Sequence, residues 1–173
     1  MKKILLITLL SLFSTHSIHS QSNWFWQQPF PTGNQLNSVK LVNALTGYAA
    51  GYLGNVIKTT DGGLSWVQQV TPVTATLWAI EKIDDNTIIA AGDSGIIIRT
   101  TNGGDNWNVI QRQNGAINQR INFPTIDTGY IVGNGGRILK SIDRGLTWNL
   151  QSSGTSSFLL SLDFLNANTG ATG

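Results

Sequence analysis

Thr59-Thr60-Asp61-Gly62-Gly63-Leu64-Ser65-Trp66 returns as Thr100-Thr101-Asn102-Gly103-Gly104-Asp105-Asn106-Trp107, and again as Ser141-Ile142-Asp143-Arg144-Gly145-Leu146-Thr147-Trp148. The three tryptophans are 41 residues apart, twice, without insertion. A fixed period near 40 marks a repeat architecture. Each copy follows a short β-branched or apolar run, such as Gly95-Ile96-Ile97-Ile98-Arg99, which has strand composition. The Asp/Asn-x-Gly core is turn chemistry: a short polar side chain bonds nearby backbone N–H groups, and glycine supplies positive φ. The spacing therefore predicts a tight hairpin with the tryptophan opening the next strand. Asp61, Asn102 and Asp143 are read as turn pins; a ligand role is the alternative.

The flanking sequence extends the unit in both directions. Leu36-x-x-Val39-x-Leu41, Thr46 to Gly51, Val56 to Thr59 and Ser65 to Val70 read as four short strands of one antiparallel sheet. Leu77-x-x-Ile80, Ile88 to Gly92, Ile96 to Ile98 and Trp107 to Ile110 repeat them. The third copy has Ile121-x-Phe123, Gly129 to Gly133, Ile138-Leu139 and Trp148 to Leu150. Glycine recurs at 51, 92 and 133 and at 54, 95 and 136, which suits close backbone approach and a tight turn. A fourth unit opens with Leu159-x-x-Leu162-x-Phe164 and Thr169-Gly170.

The N-terminal region has a different character. Lys2 and Lys3 precede the apolar run Ile4 to Phe13, which is too short to span a bilayer. Ile18 and Ser20 permit cleavage before Gln21, so residues 1–20 read as a secretory signal peptide and the protein as exported. The mature chain would then hold nine basic and nine acidic residues, so the basic isoelectric point gives no support for nucleic-acid binding. It would also hold no His and no Cys, which excludes Ser-His-Asp and Cys-His catalysis, His/Cys zinc sites and disulfides. No cofactor or metal is expected, and no membrane span in the mature chain. Trp24-Phe25-Trp26-Gln27 matches the Trp-x-x-Gln of Trp66–Gln69 and Trp148–Gln151, so residues 21–35 read as a detached outer strand and linker.

Four-stranded sheets at this period predict an all-β fold, a β-propeller with about three and a half blades present. The expected blades are 36–75, 76–116 and 117–157, with an incomplete one at 158–173. A detached strand at one chain end is how closed propellers seal their ring and hide a sheet edge. An open β-solenoid is the structural alternative. A closed ring of six or seven blades would need roughly 250–290 residues, so the chain reads as an N-terminal fragment.

Thr/Ser-x-Asp-x-Gly-x-Ser/Thr-Trp resembles the Asp-box of bacterial neuraminidase-type repeats. The wider unit, with Leu-x-x-Val and Thr-Gly-Tyr-x-x-Gly-x-x-Gly ahead of the box, is similar to photosystem II assembly-factor-like repeats, common in exported bacterial proteins. The likeness runs from Trp24 to Gly173, and Asn102 and Asn106 depart from it. It implies that Asp61, Gly63, Trp66, Asn102, Gly104, Trp107, Asp143, Gly145 and Trp148 build structural turns on one rim. Binding would then use the opposite rim, formed by the loops joining strands two and three and those entering each first strand. Its candidates are Tyr52, Asp93, Arg112, Asn134 and Arg137, with Gln113 and Asn114. Lys58, Arg99 and Lys140, also 41 apart, read either as a cation ring for acidic groups or as solvated outer-strand positions. Trp78 either lines the channel or packs between blades.

With no catalytic constellation in view, the expected function is a non-catalytic module that binds a protein or serves as an assembly scaffold at the envelope or outside the cell. The alternative is a glycan-binding or glycoside-hydrolase propeller whose catalytic residues lie beyond Gly173; such hydrolysis needs a carboxylate pair or a Tyr nucleophile. Photosystem assembly itself would follow from the family name alone. Total blade number and oligomeric state are left open.

Overall fold

The computed structural model describes residues 32–173. The expected signal peptide and the Trp24–Gln27 strand lie outside the described residues. Four antiparallel sheets follow one another along the chain. The first is β1 (Leu36–Leu41), β2 (Gly47–Gly51), β3 (Val56–Thr59) and β4 (Val67–Gln69), paired in sequence order. The second is β5 (Leu77–Lys82), β6 (Ile88–Gly92), β7 (Ile97–Thr100) and β8 (Asn108–Gln111). The third is β9 (Asn118–Asn122), β10 (Gly129–Gly133), β11 (Ile138–Ser141) and β12 (Asn149–Gln151). The fourth has β13 (Leu162–Asn166) and β14 (Thr169–Thr172). The fold is all-β, a partial propeller whose sheets do not close into a ring.

The register is periodic as well as the order. Ala49 pairs with Val39 and Ile57, Ala90 with Ile80 and Ile98, and Ile131 with Ile121 and Leu139. The second strand of the middle sheet, β6, is apolar on both faces because a sheet covers it on either side. Ile88, Ile89, Ala90 and Ala91 are fully buried for this reason. Odd and even residues of the second sheet go to different cores. Ile88, Ala90, Ile96 and Ile98 join Tyr48, Ala50 and Val56 of the first sheet, whereas Ile89, Ala91 and Ile97 join Ile121, Ile131 and Leu139 of the third. Burying such a side chain contributes about 1.5–3 kcal/mol, and only a neighbouring blade supplies the burial.

Glycine at the end of each second strand lets the incoming connector cross. A Cβ on Gly51 would lie 1.9 Å from the Gln35 carbonyl oxygen, on Gly92 1.9 Å from that of Thr76, and on Gly133 1.8 Å from that of Ile117. Any side chain there would push the connector off the sheet.

Candidate functional site

One rim of the sheets carries the Asp-box turns. These are longer than a tight hairpin, spanning residues 60–66, 101–107 and 142–148, and the outer strand starts one residue after each tryptophan. In the first, the Thr59 hydroxyl donates to Asp61 Oδ1 (2.8 Å) and accepts the Gly63 N–H (2.9 Å). Asp61 Oδ1 accepts the Ser65 N–H (2.9 Å) and Oδ2 accepts the Ser65 hydroxyl (2.5 Å). Ser141, Asp143, Gly145 and Thr147 repeat all four bonds. In the middle turn, Thr100 and Asn102 keep three of them. The fourth is lost together with its donor, because Asn106 stands where the others have Ser65 and Thr147. Gly63, Gly104 and Gly145 carry φ of 90°, 96° and 75°, in the left-handed region that favours glycine.

The hydroxyls of Thr59, Thr100 and Ser141 sit at the centre of each turn and are buried. The Asp/Asn-x-Gly pattern points to the Asp/Asn as the pin, whereas the signal for the hydroxyls is the recurrence of Thr, Thr and Ser at the same spacing. Four hydrogen-bond donors around one carboxylate hold it in its charged form. Bonds from Ser65, side chain and then backbone, bring Asp61 down to about 2 from an ordinary value of 3.8. For Asp143, desolvation acts upward, but bonds from Thr147, Ser141 and Leu146 outweigh it and the net direction is downward. Trp107 and Trp148 are buried between blades. Trp148 stands edge-on to Phe123 at 5.9 Å and donates to the Gly145 carbonyl.

The recurrent cations fit neither a ligand ring nor a solvated position. Lys58 Nζ donates to the Gly103 carbonyl (2.7 Å) and Arg99 Nε to the Arg144 carbonyl (3.1 Å). Each cation thus latches the Asp-box turn of the next blade, at equivalent positions. Tyr48 adds its hydroxyl to the same Gly103 oxygen (2.7 Å), with Lys58 above its ring at 5.7 Å. Lys140 stands over Tyr130 in the same manner, at 5.3 Å.

The opposite rim is built from mirror-image hairpin turns. Leu53-Gly54, Ser94-Gly95 and Gly135-Gly136 all have positive φ, as a two-residue turn of this hand requires. Most of the residues proposed here for binding turn out to have structural partners. Asp93 Oδ1 accepts the Trp78 indole N–H (2.7 Å), and Trp78 meets Tyr52 edge-on at 6.1 Å. Trp78 is therefore a half-buried rim residue between blades. Asn134 ties the incoming connector, accepting the Ile117 N–H (2.7 Å) and donating to the Gly115 carbonyl (3.0 Å). Arg112 is exposed and reaches the Pro72 carbonyl at 3.4 Å. Arg137 is not the free loop cation expected: it is 7% exposed and its Nε donates to Asn118 Oδ1 (3.0 Å). Tyr52 remains exposed beside Leu53. On this rim a groove of about 710 Å³ opens along Gln113–Ala116, Asn134–Arg137 and Leu150–Ser156.

The family model for the photosynthesis system II assembly factor YCF48 matches residues 17–118. The chain belongs to that family. No curated protein matches it. Solved structures place the YCF48-type fold more widely. A structure of YCF48 bound to D1 peptide is 19% identical with a TM-score of 0.67, over 78% of this chain and 44% of that one. YCF48 from Cyanidioschyzon merolae is 19% identical with a TM-score of 0.67, over 80% and 50%. An ancestral GH74 enzyme is 21% identical with a TM-score of 0.69, over 88% and 23%. This member of the YCF48 family thus spans half or less of the length of these structures, and at such identities they share its fold.

Proposed function

We propose that this chain is part of an exported, non-catalytic propeller that binds a protein segment along the rim opposite its Asp-boxes and acts in assembly at the cell envelope or outside the cell. The observation that carries the reading is the open polar groove on that rim in a chain of an assembly-factor family. Its lining offers main-chain groups and the side chains of Gln113, Asn114 and Ser153, which suit an extended peptide. A relative of the same fold is known bound to a peptide. Lys2, Lys3 and the apolar run after them support export.

A second reading is glycan binding. It is favoured by the exposed Tyr52 ring beside the half-buried Trp78, which Asp93 holds in place, because sugar rings stack on such faces. Immobilised protein exposed to envelope extract and to a glycan array separates the two. Retained envelope protein that is lost in the groove-blocking Asn114→Trp variant supports the peptide reading. Glycan retention lost in Tyr52→Ala, with no protein retained, replaces it. Recovery of the chain in the cytoplasmic fraction would remove export.

A further inference from the structure

Arg137 is a buried cation without a counter-ion. Its equivalents in the two preceding blades are Asn55 and Ile96, and those of its partner Asn118 are Leu36 and Leu77. In the second blade the two positions are Leu77 and Ile96, an apolar pair with no exposed surface. The third blade replaces that pair with Asn118 and Arg137, both buried. Asn118 is satisfied, since its Nδ2 donates to the Ile96 carbonyl (3.2 Å) and its Oδ1 accepts from Arg137 Nε. Arg137 is not: its Nη2 is sealed from solvent without an acceptor. Neither ion pair among the described residues includes it. Burial alone pulls its basicity below the ordinary value, with no acidic neighbour pushing it back.

An uncompensated buried charge costs several kcal/mol, and a hydrophobic pair of similar volume would be no less stable. The second blade has that hydrophobic pair at the same place. The cation also lines the groove described above. We infer that Arg137 is the anchor of an anion site in this groove, taking a single carboxylate group of the bound ligand. The bond from Nε to Asn118 fixes the guanidinium and leaves Nη2 as an unmet donor, which a carboxylate oxygen can take once the groove lining moves off it. No other charged residue lines the groove, so a singly charged group matches it better than a phosphate dianion, which calls for several cations. Gln113, Asn114 and Ser153 provide neutral polar contacts around it.

The inference rests on reading this rim as the binding face, and the test separates the two. Thermal unfolding of the full chain is followed with sodium acetate and with an amidated, acetylated peptide carrying one glutamate, each against sodium chloride at equal ionic strength. The expected result is a saturable rise in Tm of roughly 5 °C at about ten times the dissociation constant, absent in Arg137→Met. The double variant Asn118→Leu/Arg137→Ile copies the second blade and serves as the folded control. It should be as stable as the parent in chloride and unresponsive to either carboxylate. A response to acetate but not to peptide keeps the anion site and removes the peptide reading of the rim. A response that survives in the double variant, or no response in the parent, overturns the inference. Envelope protein still captured by Arg137→Met leaves the binding rim standing without this anchor.

Discussion

The two rims of the same sheets follow different rules. On the Asp-box rim, equivalent residues make equivalent bonds: Thr59, Thr100 and Ser141 hold their turns alike, and Lys58 and Arg99 latch the following blade alike. On the opposite rim the backbone turn repeats but the chemistry does not. Leu53, Ser94 and Gly135 share one left-handed position, and Asn55, Ile96 and Arg137 share the buried position two residues on. One rim is constrained by what a blade needs from its neighbour. The other keeps only its backbone geometry, and its side chains differ from blade to blade.

If that division is right, the largest losses of stability come from the Asp-box side. Trp148→Ala should cost about 3–5 kcal/mol, because it empties a buried aromatic site between blades, whereas Tyr52→Ala on the other rim should change stability by less than about 1 kcal/mol. Urea unfolding of both variants checks the contrast, and equal losses would break it. Next in size, Thr100→Val should cost about 1–3 kcal/mol. It removes the acceptor of the Gly104 N–H while keeping the volume, and Ser141→Ala should behave alike in the third turn.

A smaller effect sharpens the contrast within the Asp-box rim. Asp61 is held in its charged form down to about 2, below its ordinary 3.8. Its hydrogen bonds therefore stabilise the fold fully above the ordinary value and are lost as pH falls through the folded one. Asp143 is lowered in the same direction. The middle turn, with Asn102, has no carboxylate to titrate. Acid unfolding between about pH 4 and 2 should therefore weaken for Asp61→Asn/Asp143→Asn, while Asn102→Asp/Asn106→Ser should add acid sensitivity. Amide exchange at Gly63 against Gly104 across this range would show the first turn opening before the second. Smallest of all, Leu53 has φ of 58° and is 66% exposed. Leu53→Gly should stabilise by about 1 kcal/mol, since a side chain in the left-handed region is disfavoured by that order. Destabilisation would mean that Leu53 packs for the fold.

What could be read in advance was whatever repeats. The 41-residue spacing of Trp66, Trp107 and Trp148 exposed the blades, and Asp-x-Gly exposed the turns, because both depend on neighbours in sequence. The errors concern partners far apart in the chain. Lys58 reaches Gly103 and Arg99 reaches Arg144 in the next blade, so their role is invisible until the blades are side by side. Asp93 looked like a free loop acid but holds Trp78. Arg137 looked like a loop cation because it follows a turn. Its burial follows from alternation along the strand, since it lies in phase with Leu139 and Ile131 on the face toward the second blade. That phase was already present in the equivalent Ile96.

The division of labour between the rims is tested most directly by placing a photo-crosslinking residue at one exposed position on each. Tyr52 on the loop rim is 40% exposed and Leu64 on the Asp-box rim 79%. In the cells that make the protein, illumination should give a discrete protein adduct from position 52 and none from position 64, despite the greater exposure of the latter. An adduct from position 64 alone would place recognition on the Asp-box rim and contradict the account.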